Sequence, residues 1–171
     1  ISHIELFKSL IDQIQSLQKI AEKHHMRLHH LKPHGALYNL ATSNTDMAQL
    51  VIEVINAVDI SLKLYAPYQS VLAKMAIDAN IKVCFEAFAD RNYNADLTLV
   101  NRSEAKALIL DKANIAQRVY KMITQQKVAA ISGEHIDIKA RTFCLHGDTE
   151  NAVEIARYLH EFLKLKHIKI R

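Results

Sequence analysis

Glycine, proline and cysteine are scarce in this sequence of 171 residues, which contains three, two and two of them, and tryptophan is absent. Flexible linkers and low-complexity segments are rich in glycine and proline, so their scarcity argues against such segments. No internal repeat is visible either. We therefore predict that residues 1–171 form a single domain.

Signals for membranes and secretion are also lacking. No stretch approaches the roughly 20 apolar residues of a membrane helix, and the sequence does not open with a basic region followed by an apolar run. Cys84 and Cys144 each lie in an apolar run that is typical of a buried strand. We expect both to be reduced core thiols and the protein to be cytoplasmic.

Acidic and basic residues nearly balance, with 22 lysines and arginines against 18 aspartates and glutamates. The basic residues are scattered and the aromatic residues do not interleave with them, which argues against nucleic-acid binding. No glycine-rich phosphate loop and no nucleophile elbow occurs. We therefore expect no ATP site in this chain.

Histidine is abundant, and five of the ten histidines crowd residues 24–34. Alternate residues of a strand face opposite sides, so His29 and His30 are not expected to share a pocket. No cysteine or carboxylate lies at ligand spacing from them. We therefore predict no metal site from this cluster.

Apolar residues recur at helical spacing in five segments, and short apolar runs separate them. Ser2 and Glu5 form a capping-box signature, and Ser43 or Asn44 is the expected N-cap of the second helix. Helices are predicted over residues 4–21, 47–58, 71–79, 115–123 and 152–163, and strands over 27–31, 62–66, 81–85, 97–100, 128–131 and 142–145, with a hairpin-like excursion at 134–139. This alternation predicts an α/β fold with parallel strands and outer helices.

Polar side chains are concentrated directly after three predicted strands, in residues 32–39, 86–93 and 146–149. Loops at the carboxyl ends of parallel strands build active sites because these ends point to one face. We therefore expect the three loops to converge on one pocket. The candidate catalytic residues are Lys32, His34, Asp90, Arg91, His146 and Asp148.

Structural roles are an alternative for each of these positions. Pro33 and Gly35 could only shape a turn. Asp90 and Arg91 could each pair with a neighbour. The final helix needs an N-cap, which Asp148 or Thr149 could supply, and His146 could be a hydrogen-bonded residue at a strand end.

The same three loops resemble motifs of the LamB/YcsF family. Residues 32–39 are similar to its Lys-Pro-His-Gly-Ala-Leu-Tyr-Asn motif, and 86–93 to its Glu-x-Phe-Ala-Asp-Arg-x-Tyr motif. Residues 99–102 resemble its Leu-Val-x-Arg segment, and 146–149 its His-Gly-Asp-Thr segment. The sequence departs from the family at Pro67 and Tyr68, where a glycine-containing turn is usual, and at Leu97, where glycine is usual.

The resemblance implies a fold and an activity. The fold would be a seven-stranded β/α (TIM-like) barrel, here incomplete, because the family's acidic and histidine-containing N-terminal motifs have no counterpart and the chain matches the C-terminal two-thirds. The activity would be that of the A subunit of an ATP-dependent 5-oxoprolinase, a hydrolase that opens the cyclic amide of 5-oxo-L-proline to L-glutamate. Subunits B and C would use the ATP, so this chain itself would need no cofactor.

Roles follow from combining this resemblance with the chemistry of the residues. Asp90, Asp148 or His146 would transfer protons, while Lys32, His34 and Arg91 would stabilise negative charge. The substrate would be bound by Tyr38, Asn39, Glu86, Tyr93, Arg102 and Thr149.

Two other functions compete with the hydrolase subunit. The chain could be catalytically inactive and serve as a binding or assembly module for subunits B and C, or it could be a metal-dependent hydrolase resembling deacetylases. We also expect homo-oligomers, because missing strands would expose a sheet edge.

Overall fold

The computed structural model describes residues 1–170, which form a mixed α/β fold with six α-helices and six β-strands. The chain divides into two compact units, Ile1–Cys84 and a second one that begins at Phe85. The elements in chain order are α1 His3–Lys23, β1 His30–Leu31, α2 Gly35–Ala41, α3 Thr45–Val58, β2 Lys63–Pro67, α4 Val71–Asp78, β3 Val83–Phe88, α5 Lys112–Gln125, β4 Lys127–Ala129, β5 His135–Asp137, β6 Thr142–Cys144 and α6 Ala152–Leu165. The predicted α/β class is confirmed, whereas the single domain and the seven-stranded count stay predictions.

Helices of the first unit begin where their capping residues predict. The Ser2 hydroxyl accepts a hydrogen bond from the Glu5 amide, and the Glu5 carboxylate accepts one from the Ser2 amide, which completes the capping box of α1. The side chain of Asn44 accepts from the Met47 amide and caps α3, so the second of the two predicted N-caps is confirmed. Helix α3 packs against both α1 and α4.

Strand β1 of the first unit is shorter than predicted, whereas β2 has the predicted length and begins one residue later. Strand β1 contains only His30 and Leu31, which pair in parallel with Lys63 and Leu64 of β2. The predicted loop 32–39 is wrong from residue 35 onward, because helix α2 begins at Gly35. Gly35 has a φ of +60°, a conformation that glycine adopts without strain, and this lets the chain turn directly from His34 into the helix.

The histidine pair of the first unit corrects one prediction. His29 precedes the two-residue strand, so the alternation of a strand does not separate its side chain from that of His30. The two Nδ1 atoms lie 3.2 Å apart, and Lys63 Nζ lies 2.9 Å from His29 Nε2. The His30 ring stacks on Tyr65 with 3.8 Å between centroids. The two imidazoles are therefore neighbours.

The second unit combines a parallel strand pair, a hairpin and two packed helices. Glu86, Ala87 and Phe88 of β3 pair with Thr142, Phe143 and Cys144 of β6, and the larger sheet has the strand order β1-β2-β3-β6. The predicted excursion is an antiparallel hairpin of β4 and β5. Helix α5 packs against α6, and the fully buried core side chains include Val100, Ile115, Val119, Met122 and Ile155.

Three expectations about this unit are wrong in detail. Residues 97–100 form no named strand, although Leu99 makes an isolated bridge with Tyr93. The N-cap of α6 is Asn151, not Asp148 or Thr149. Cys144, like Cys84 at the end of the first unit, is half-buried and does not lie deep in the core. Across residues 1–170, no helix is both long and apolar enough to cross a membrane.

Candidate active site

Asp90 lies at the centre of the polar cluster in the second unit. Its side chain is completely buried, yet both carboxylate oxygens accept hydrogen bonds. Its Oδ2 accepts from the Thr149 hydroxyl at 2.7 Å and from the His146 amide at 3.0 Å, and the His146 ring approaches Oδ1 with its Nδ1 at 3.0 Å. Two of the predicted loops, 86–93 and 146–149, are thus joined through this carboxylate.

The charge of Asp90 follows from these contacts. Burial alone raises the pKa of a carboxyl group, but the hydrogen bonds from Thr149 and from the amide and ring of His146 outweigh it and lower the pKa of Asp90. The group is therefore ionised at neutral pH and can only accept hydrogen bonds.

The tautomer of His146 follows in turn. Because Asp90 can only accept, Nδ1 of His146 carries the proton, and in the neutral ring the lone pair is on Nε2. The ring also stacks on Phe88, with 5.4 Å between centroids and 13° between planes. The side chain remains 23% exposed. A partly exposed imidazole of fixed tautomer and orientation can accept a proton from a water molecule.

The segment after β3 is held in place mainly by its own backbone. The Ile109 amide donates to the Asp90 carbonyl, the Asn92 amide to Ala107, and the Val100 amide to Asn92. Residues 90–92 are therefore fixed by the chain that follows them, which positions the Asp90 carboxylate.

Tyr93 contributes to the same framework. Its hydroxyl accepts from the Phe88 amide at 2.7 Å, and its side chain is only 3% exposed. Burial raises the pKa of this hydroxyl far above its ordinary value. This hydrogen bond stabilises the turn between strand β3 and the loop.

Arg91 is a buried cation beside this cluster. Its side chain is 4% exposed, its Nη2 donates to the Val100 carbonyl at 2.6 Å, and its Nε has no hydrogen-bond partner among residues 1–170. Burial and the charge of Arg102 lower the pKa of the Arg91 guanidinium. The charges of Asp90 and Asp148 oppose this shift, so the cluster contains two cations and two anions.

Arg118 of helix α5 was missed by sequence reasoning. It donates to the carbonyls of Ala129 and Arg91 at 3.2 Å each, and its guanidinium lies 5.5 Å from the centre of the Tyr93 ring. Nothing in the sequence distinguishes this arginine from the other basic residues of an amphipathic helix. Only its position under the loop shows that it supports Arg91 and Tyr93.

Arg102 and Asp148 form a second contact between the predicted segments. Arg102 Nη1 lies 2.9 Å from Asp148 Oδ2, and the two side chains are 48% and 67% exposed. The hydrogen bond and charge of Arg102 lower the pKa of Asp148. Glu86, in contrast, is buried within strand β3 and does not lie beyond it as predicted.

The remaining predicted residues lie in the first unit. Lys32 Nζ lies 5.6 Å from the centre of the Tyr38 ring, and Tyr38 is buried in helix α2. His34 is the residue before α2 and makes no side-chain cap, and Asn39 is exposed within that helix. Their convergence with Asp90 and His146 stays a prediction. Within residues 1–170, no three histidine, cysteine or acidic side chains are arranged to hold a metal ion.

Known proteins share this sequence and fold. The family model of the LamB/YcsF family matches residues 1–171. The A subunit of 5-oxoprolinase from Halalkalibacterium halodurans is 36% identical over 168 residues, which cover 98% of this chain and 65% of that protein. The protein of the same name from Pyrococcus horikoshii is 42% identical over 161 residues, which cover 94% of this chain and 63% of that protein.

A solved structure agrees with these relatives. The lactam utilization protein from Thermus thermophilus superposes with a TM-score of 0.92 at 32% identity, covering 100% of this chain and 68% of that one. The chain thus spans slightly less than two thirds of the two 5-oxoprolinase subunits compared above. The match over its whole length shows that the chain belongs to the LamB/YcsF family.

Proposed function

We propose that this chain acts as part of the A subunit of a 5-oxoprolinase and that His146 is the general base in opening the lactam ring. The observation that carries the proposal is the buried, ionised Asp90, which holds the Nδ1–H of His146 and leaves Nε2 as the basic atom. The names of the relatives, which are the A subunit of 5-oxoprolinase and a lactam utilization protein, supply the substrate class.

The reaction places defined demands on these residues. A water molecule attacks the lactam carbonyl of 5-oxo-L-proline while its proton passes to His146 Nε2. The ring C–N bond then breaks, and the imidazolium returns the proton to the leaving nitrogen, giving L-glutamate. The negative charge of Asp90 stabilises the intervening imidazolium and keeps the ring oriented, as carboxylates do in related acid–base pairs.

Partner subunits complete the proposal. Hydrolysis of an unactivated lactam near neutral pH is slow. We therefore assign the use of ATP to subunits B and C. We place the complex of the three subunits in the cytoplasm. Arg91 supplies positive charge near the reacting group, and Arg102 is accessible enough to bind the substrate. In this scheme none of Asp148, Thr149 and Tyr93 transfers a proton. Asp148 pairs with Arg102, Thr149 holds Asp90, and Tyr93 holds the backbone at Phe88.

Reconstitution tests the proposal. The chain is mixed with subunits B and C, ATP and 5-oxo-L-proline, and L-glutamate is measured. We expect turnover by the mixture, none by the chain alone, and a loss of roughly 10²- to 10⁴-fold for His146→Gln. Asp137→Asn is the matched control, because Asp137 only forms an exposed pair with Lys127 on the hairpin.

Two results would contradict parts of this proposal. Turnover by the chain alone would remove the need for partners. Binding of subunits B and C without any turnover, unchanged by His146→Gln, would instead identify an assembly module.

A further inference from the structure

Arg102 is joined to Asp148 by one hydrogen bond between residues that lie 46 positions apart in the sequence. Only Nη1 of the guanidinium takes part, so the pairing is not the two-bond fork that arginine forms with a carboxylate in its preferred geometry. Both side chains are largely exposed. A single exposed contact of this kind can be exchanged for another carboxylate.

The surrounding charges show why a carboxylate is needed here. The Arg91 guanidinium is buried beside Arg102, its hydrogen bond goes to a carbonyl oxygen, and its Nε has no partner among the described residues. Asp90 accepts its hydrogen bonds from His146 and Thr149. The carboxylate that pairs with Arg102 is instead Asp148, whose side chain is 67% exposed.

The position of the pair connects it to the chemistry. Asp148 lies two residues after His146, in the turn between β6 and α6. A carboxylate that takes the place of Asp148 on Arg102 would therefore bind at the turn that follows His146. Exposed ion pairs contribute little to stability, so displacing Asp148 costs little.

We propose that Arg102 is the carboxylate-binding residue of this site and that Asp148 is an internal counter-ion which the carboxylate of a small substrate displaces. Arg102 thus determines specificity for carboxylate-bearing lactams, and Asp148 is a competitor of the substrate. The claim that the substrate contains a lactam rests on the proposed function. The claim that Arg102 binds a carboxylate does not.

Three small molecules test binding of the lactam group and of the carboxylate group separately. 5-Oxo-L-proline has both a lactam and a carboxylate, 2-pyrrolidinone has only the lactam, and cyclopentanecarboxylate has only the carboxylate. Each is titrated into the 171-residue chain, and binding is followed by NMR at the Arg102 Nε–H. We expect the two carboxylates, but not 2-pyrrolidinone, to shift this signal.

Variants then identify the counter-ion. Asp148→Asn should lower Kd for both carboxylates by about 2- to 5-fold, the amount that a competing exposed pair is worth. Arg102→Gln should raise Kd for both by about 10-fold or more, and Asp148→Asn should then have no further effect. Binding of 2-pyrrolidinone should not change in any variant, and Asp137→Asn should match the wild type throughout.

Several outcomes would overturn the inference. They are the absence of carboxylate binding by the wild type, carboxylate binding that is insensitive to Arg102→Gln, and equal losses for carboxylates and 2-pyrrolidinone, which would mark a structural role. If Arg102 binds carboxylates as expected but the reconstituted complex forms no glutamate, the proposed function fails while the carboxylate site stands.

Discussion

At the scale of single residues, one buried carboxylate determines what its neighbours can do. Asp90 accepts three hydrogen bonds, from Thr149 and from the amide and ring of His146. Those donors keep it ionised, and its charge in turn selects the Nδ1–H tautomer of His146. The sequence shows the two motifs, but only the structure shows that their loops meet at one carboxylate.

Asp90→Asn is therefore expected to reduce both activity and stability. An amide has one acceptor oxygen, so its NH₂ group would face a donor, and a buried donor left unpaired costs roughly 1–3 kcal/mol in the free energy of unfolding. An amide that donates to Nδ1 would also move the proton to Nε2, which removes the basic atom. Denaturant unfolding and turnover of the reconstituted complex measure the two effects.

Thr149→Val is the matched control for this prediction. It removes one hydrogen bond to Asp90 but keeps the charge and the His146 contact. We expect a loss of roughly 1 kcal/mol in unfolding free energy and most of the activity retained. If Thr149→Val inactivated the complex as strongly as Asp90→Asn, the tautomer would not be the cause.

Leu97 shows strain at the residue scale. Its φ is +67°, and its amide donates to the Asn94 carbonyl while the Asn94 amide donates to the Thr98 carbonyl. This is a turn followed by a left-handed residue, a position that favours glycine. The resemblance to the family predicts glycine at this place, and a φ of +67° is one that glycine adopts without strain. Gln69, just after Pro67 and Tyr68, also has a positive φ of 63°.

Leu97→Gly is accordingly expected to leave stability unchanged or to raise it by up to about 1 kcal/mol, because relief of the left-handed strain exceeds the added chain entropy. Leu99→Gly, two residues along, should instead destabilise, because Leu99 has no positive φ to relieve and its half-buried side chain would be lost. Thermal unfolding of the two variants gives the comparison. A Tm lowered equally by both would show that the side chain of Leu97 matters more than its φ.

At the scale of secondary structure, helices were predicted better than strands. Local signals define where some helices begin: Ser2 and Glu5 begin α1, and Asn44 begins α3. Helix α2 has no side-chain cap, and it was missed. A strand instead ends where its partner ends. Strand β1 has only two residues because β2 pairs with no more of it, and β3 extends to Phe88 because β6 pairs with residues 86–88.

The contacts of the candidate site were predicted from the sequence only in part. Asp90, His146 and Thr149 do meet, as the rule on strand ends suggested, because β3 and β6 are adjacent and parallel. The contact between Arg102 and Asp148 depends on the path of the loop 89–110, and the role of Arg118 depends on the packing of α5. No short-range pattern encodes either of these.

Helix α5 offers a test of capping. Its N-cap is Asp111, whose carboxylate accepts from the Asn114 amide at 2.7 Å. We expect Asp111→Ala to lower the free energy of unfolding by about 1 kcal/mol, and Asp111→Asn to restore most of it, because asparagine caps equally well. Denaturant midpoints distinguish them. If both variants lost the same free energy of unfolding, the charge of Asp111 and not its capping hydrogen bond would be the cause.

At the scale of the whole molecule, the balance of charge depends on carboxylates that are stabilised in their ionised form. The formal net charge is +4 at pH 7. Hydrogen bonds and neighbouring cations lower the pKa of six acidic groups in both units, namely Glu5, Asp59, Asp90, Asp96, Asp148 and Glu154. Protonating them removes these contacts and leaves the buried Arg91 and the half-buried Arg118 as cations in a more positive molecule.

Acid should therefore unfold this protein, and Asp90 should account for a separable part of the effect. A group whose pKa is lower in the folded state binds fewer protons there, so its stabilisation is complete above its ordinary pKa, 3.8 for aspartate, and is lost as the pH falls through the lower folded value. Unfolding free energies measured between pH 7 and pH 3 should decline toward the acid end. Asp90→Asn should start lower but decline less steeply, whereas Asp137→Asn, with an exposed carboxylate, should follow the wild type. Parallel curves for Asp90→Asn and the wild type would mean that folding does not lower the pKa of the Asp90 carboxyl, so the hydrogen bonds from Thr149 and His146 would not favour its ionised form.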